Sequence, residues 1–147
     1  MKLSGNYTLA APPEKVYALM QDPAVLARAI PGCESLERIG NDEYRMKMKM
    51  ALASFSGAFE GKVRITDQAP PASFRLVVEG SGKLGFMKGD GVLKLSASGE
   101  GTDVAYEGDA QVGGTMAAVG QRLIDGTARM MIKRFFDKLA EEAAAAG

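Results

Sequence analysis

The chain has 147 residues, 46% hydrophobic and 24% charged, which is an ordinary globular composition with enough length for one core. Its 18 basic and 18 acidic residues cancel, which argues against nucleic acid as a partner, since such binders carry a basic excess. There is no histidine, so the commonest general base and the commonest metal ligand are both missing.

The single cysteine, Cys33, has no partner for an internal disulfide, and a reducing, cytoplasmic setting is the expectation. The opening "MKLSGNYTLAAPP" lacks a basic-then-apolar leader, and no stretch approaches the ~18 apolar residues of a membrane span.

In chain order, "KLSGNYTL" alternates loosely and reads as a strand. "PEKVYALM" follows as a short helix with Pro13 at its first position and Val16, Tyr17 and Met20 on one face. "DPAVLARAI" is a second short helix, capped by Asp22 and broken by "PGCES". The period then changes to two. Met46, Met48 and Met50 alternate with Arg45, Lys47 and Lys49, and Phe59, Gly61, Val63 and Ile65 alternate with Glu60, Lys62 and Arg64. "SFRLVVEG", "GDGVLKLSAS" and "TDVAYEGDAQV" continue the pattern, with Val104, Tyr106, Ala110 and Val112 facing one way. Turns are expected at Asn41-Asp42, Gln68 to Ser73 and Gly99 to Thr102. The last element reads as a helix from Met116 to Leu139 with an inward stripe of Met116, Gly120, Leu123, Thr127, Met131, Phe135 and Leu139, ahead of a fraying "AEEAAAAG" tail.

One domain spanning 1–147 is expected, of α+β class. A curved antiparallel sheet of six to seven strands wraps the long C-terminal helix, with two short helices after the first strand.

The methionines are the first candidate feature. Plain core packing explains them. However, flexible methionines facing a helix stripe with glycine and threonine leave space, and an apolar cavity is the other reading. Met46, Met48, Met50, Phe59, Val63, Phe86, Met87, Tyr106, Met116, Gly120, Leu123, Thr127 and Met131 are its candidate lining. Tyr106 supplies the one polar handle, and Gly120 and Thr127 leave room for a ring. Gly126 lies off the stripe, where close approach of another backbone would explain it.

Cys33 reads as a nucleophile only with a base or a helix N-terminus beside it, and otherwise as a small residue in a turn. The glycine-rich "EGSGKLGFMKGDG" lacks the ending of a phosphate loop and reads as a flexible hairpin exposing Leu84, Phe86 and Met87, a gate or membrane-touching tip. The carboxylates alternate onto the polar face, so no catalytic acid–base pair and no metal set is expected. Arg129, Lys133, Arg134 and Lys138 balance the helix dipole, or form a dock for an acidic protein or an anionic membrane.

Two stretches together, "DPAVLARAIPGCESLERIGNDEY" and "VGGTMAAVGQRLIDGTARMMIKRFFDKL", resemble the CoxG family of carbon monoxide dehydrogenase subunits over almost the whole chain. That family is a branch of the START-like, polyketide-cyclase-like SRPBCC superfamily. The resemblance implies the helix-grip fold, in which a seven-stranded sheet grips the C-terminal helix around an apolar cavity. It implies no covalently bound cofactor, a quinone or lipid as ligand, a molybdenum hydroxylase of the carbon monoxide dehydrogenase type as partner, and a role in membrane recruitment or in passing electrons to quinone. Longer members end in an apolar anchor. This sequence ends at "EEAAAAG", and peripheral contact with the inner face of the cell membrane is expected in its place. A cyclase- or hydratase-like enzyme, and a docking protein with a vestigial cavity, are the alternatives.

Overall fold

A computed structural model describes residues 1–52 and 55–146. Strand β1 (Lys2–Leu9) precedes helices α1 (Pro13–Met20) and α2 (Pro23–Ala29). Six strands follow: β2 (Cys33–Gly40), β3 (Glu43–Leu52), β4 (Phe55–Ala69), β5 (Ser73–Gly82), β6 (Gly85–Ser98) and β7 (Gly101–Gly113). A short 3₁₀ turn, Gly114–Val119, leads into α3, Gln121–Ala146. The strands form one antiparallel sheet in the order β1-β7-β6-β5-β4-β3-β2. Each hairpin pairs with the next, and the first strand closes onto the last. This is the helix-grip arrangement of α+β class.

The period-two segments become strands with their apolar phase on the concave face. Met46, Met48, Phe59, Val63, Ile65 and Val104 are all buried there. The sheet must curl tightly to wrap a helix. At Gly61 and Gly108 a side chain would run into the backbone of the adjoining strand, at Glu79 and Asp90 respectively, so these glycines permit the close approach. The two short helices form as their caps predict. Pro13 opens α1, and the Asp22 carboxylate accepts from the Ala24 N–H at 2.9 Å to open α2. The Tyr17 hydroxyl donates to Gln68 at 2.6 Å and tucks α1 under the β4–β5 turn. The buried Thr102 hydroxyl donates to the Ala11 carbonyl at 2.6 Å and fixes the chain leaving β1.

Three local expectations are corrected. Cys33 opens strand β2 instead of sitting in a turn. Register shifts at Cys33/Ser35 and Arg38/Gly40 scramble the alternation of this edge strand, which hides it from a period-two reading. The segment around residues 79–91 is not a loose hairpin. β5 and β6 pair continuously up to a tight turn at Lys83-Leu84. Leu84 there is half-buried over Gly57, and Met87 points into the interior.

The C-terminal helix differs most. It begins at Gln121, because Gly120 adopts φ +100° and breaks the chain direction after the 3₁₀ turn. It continues to Ala146, held by buried Leu139 and Ala143 and by Arg28, whose guanidinium grips Glu142 at 2.6 and 3.0 Å. The expected fraying tail is therefore ordered helix; Gly147 lies outside the described residues. The expected inward stripe is also wrong at its start. Repeated steps of four advance about 40° past a full turn each, so Leu123 and Leu139 stand roughly 160° apart around the axis. Leu139 faces the sheet, so Leu123 faces outward at 40% exposure while its neighbour Ile124 is 7% exposed. The true inner face runs through Ile124, Ile132, Phe136, Leu139 and Ala143.

Candidate functional site

Between α3 and the concave sheet lies a cavity of about 330 Å³. Its volume is within the range of small-molecule sites. Gly89, Gly91 and Ala110 of β6 and β7 form the floor, and Met46, Met48, Val63, Leu76, Val78 and Met87 line the side toward β3–β5. Met131, Ile132, Phe135 and Phe136 of α3 form the roof, while Leu26, Ile30 and Pro31 close one end from α2. Backbone of Asp90, Glu107 and Asp109 also borders the space. Their side chains alternate to the convex face, where Asp90 meets Arg75 at 3.5 Å and Asp109 meets the Met1 amine at 3.3 Å.

Among the described residues, the Tyr106 hydroxyl is the polar side-chain group placed to meet a ligand, and it makes no hydrogen bond. Its ring covers Gly5 and belongs to an aromatic cluster. Phe136 stacks on Tyr7 at 4.4 Å and on Tyr106 at 5.9 Å, with Phe135 edge-on to Phe136 at 5.2 Å. Burial raises the Tyr106 pKa above its ordinary 10.0. The nearby Tyr7 adds to this, and Arg129 opposes it. Tyr106 is thus a neutral donor at physiological pH. Burial likewise pushes the Cys33 thiol up, and its Sγ donates to the Ser35 carbonyl at 3.5 Å, an arrangement that lacks an activating base.

Of the expected lining, Met46, Met48, Val63, Met87, Tyr106 and Met131 border the cavity. Phe59 and Met116 are buried in the core but outside the cavity, and Met50 and Thr127 are partly buried outside it. Phe86, Gly120 and Leu123 are exposed and do not border it. Phe86 covers Gly113 at a second recess of about 300 Å³, which the Gln111 and Gln121 side chains make more polar. Gly120 is a helix breaker and not a space-maker, and no atom comes within 4 Å of a side chain built at Gly120 or Gly126. No backbone presses on Gly126. The space-makers are instead the strand glycines, above all Gly89 and Gly91, whose inward phase between Met87 and Leu93 was readable in the sequence. Other lining residues were also in view there: Leu76 and Val78 on the inward phase of β5, and Leu26 with Ile30 one turn apart on α2. Phe136 and Tyr7 carried no such signal.

The basic cluster is real but partly self-neutralised. Lys133 pairs with Asp137 at 2.7 Å and half-buried Lys138 with Glu141 at 3.2 Å, while Arg129 and Arg134 are exposed without an ion pair among the described residues. Exposed Met130 lies between them and Leu123 on the outer face of α3. No described group of three or more acidic or cysteine side chains could hold a metal, and no described helix is long and apolar enough to cross a membrane.

The chain is 35% identical to a conserved protein from Geobacillus kaustophilus of known structure, with a TM-score of 0.95 over 99% of this chain and 97% of that one. A START superfamily protein from Mycobacterium smegmatis shares 11% identity at a TM-score of 0.76, each chain covered to 99%. An aromatase/cyclase from Streptomyces sp. R1128 shares 12% identity at 0.68, over 98% of this chain and 93% of that one. These last two show a common START-type fold and nothing finer. No curated protein matches. The family model for CoxG, a carbon monoxide dehydrogenase subunit, matches residues 5–144. With that match over nearly its whole length, the chain belongs to the CoxG family.

Proposed function

We propose that this protein is a non-enzymatic carrier that holds an apolar, quinone-like or lipid-like molecule between sheet and α3. The observation that supports this is an apolar cavity of about 330 Å³ with a single hydroxyl, Tyr106, offering a hydrogen bond. A carbonyl ligand suits that donor, because the raised pKa keeps the phenol protonated. Chemistry on a bound ring would need an acid or base inside. The neighbouring carboxylates point outward, and a phenol held protonated is a poor base. The partner proposed from family membership is a molybdenum hydroxylase of the carbon monoxide dehydrogenase type. The carrier would pass its ligand between that enzyme and a membrane touched only peripherally, with Arg129 and Arg134 meeting the partner.

The purified protein should release an apolar molecule on solvent extraction, detectable by mass spectrometry. Met46 is buried against the cavity, so Met46→Trp should fill it and abolish retention while the fold persists. A protein that carries nothing and binds no added quinone or fatty acid would refute the carrier reading. Arg129→Glu with Arg134→Glu should abolish co-purification of the hydroxylase from the native organism and leave ligand retention unchanged.

A further inference from the structure

We propose that Gly89 is the residue that sets the size of the molecule the cavity admits, an inference that rests on the carrier reading above. The glycines of the inner face differ in what surrounds them. At Gly61 and Gly108 a side chain would strike the adjoining strand, so glycine is required for folding. At Gly91 a methyl group would lie 3.2 Å from the Glu107 carbonyl, tighter than ordinary contact. At Gly80 it would meet the Met87 side chain at 3.6 Å, an ordinary contact.

Gly89 has no such constraint. Its backbone is in a region open to any residue, and a methyl group there would find its nearest neighbour, the Asp109 carbonyl, 4.0 Å away. It sits mid-strand, paired with Val78 on one side and Ala110 on the other. Glycine weakens a strand interior, through lost chain entropy and lost side-chain packing, so a β-branched residue would stabilise this position. That stabilisation is forgone at a point that opens directly into the cavity. A valine there would place three carbon groups in the space. At ~30 Å³ for a group the size of water, these would take about a quarter of the volume. The empty position therefore sets the floor depth, and with it the largest ring system that fits.

The test uses the wild-type chain with Gly89→Ala and Gly89→Val, titrated calorimetrically with the two-ring quinone menadione and the one-ring quinone duroquinone, with thermal unfolding as the fold control. The wild type should bind both. Gly89→Val should lose affinity for menadione by about tenfold or more, keep duroquinone within about threefold, and unfold at an equal or higher temperature, with Gly89→Ala in between. Unchanged menadione affinity in Gly89→Val overturns the size-setting role while leaving the carrier reading intact. So does loss of both probes with a lowered unfolding temperature, which would make Gly89 a structural glycine. A wild type that binds neither probe overturns the carrier reading and the size-setting role together.

Discussion

Replacing Phe136 by alanine probes the packing that holds α3 in the sheet. Phe136 is 3% exposed, lines the cavity roof and stacks on Tyr7 and Tyr106. Removing a buried phenylalanine ring costs about 3–5 kcal/mol, through lost transfer free energy and the void left behind. Two aromatic partners argue for the upper part of that range. For a chain of this size each kcal/mol shifts the unfolding midpoint by roughly 2–4 °C, so a fall of roughly 8–16 °C is expected. Total stability of about 5–15 kcal/mol leaves the variant folded at room temperature. Far-ultraviolet circular dichroism during heating, with urea unfolding to extract free energies, gives both numbers. Ligand affinity should fall as well. Leu139→Ala, one turn along and fully buried outside the cavity, should lower stability alone. A loss under about 1 kcal/mol for Phe136→Ala, the level of a surface site, would refute the packing described for α3.

The phase of α3 is tested by adjacent residues. Ile124→Ala should lose about 2–4 kcal/mol and Leu123→Ala under about 1, and equal losses would contradict the observed inner face. Gly126→Ala should stabilise the isolated chain by about 1 kcal/mol, because no atom approaches that point of the helix. Tyr106 titrates above 10.0 in the folded chain, while the unfolded chain releases that proton near 10.0. Its contribution to stability is therefore complete below that pH and declines as pH rises through the interval above it. The difference in tyrosinate absorbance between wild type and Tyr106→Phe should show a midpoint above 10.0, and one at or below it would refute the burial of the ring.

The elements that could be read without the structure were those whose signals are local. Alternation gave the faces of β3, β4 and β7, proline and aspartate marked the starts of α1 and α2, and a long apolar-periodic run marked the final helix. Local reading failed where tertiary geometry overrides periodicity. The bulged edge strand β2 loses its alternation because no second neighbour enforces a register. The stripe drawn on α3 began on the wrong side, because steps of four drift around a 3.6-residue helix and only contact with the sheet selects which line of residues is buried.

The same division runs through the site. An apolar cavity lined by methionines and one tyrosine was foreshadowed by composition and alternation. Which residues leave it empty was not. Gly120 looked like a space-maker in a helical pattern and proved a positive-φ break, while the glycines of β6 looked like a flexible loop and proved the cavity floor. A glycine's identity records that a side chain is missing. Whether a neighbouring backbone, a positive φ or an open cavity lies where that side chain would be is decided only when distant strands and the helix are brought together.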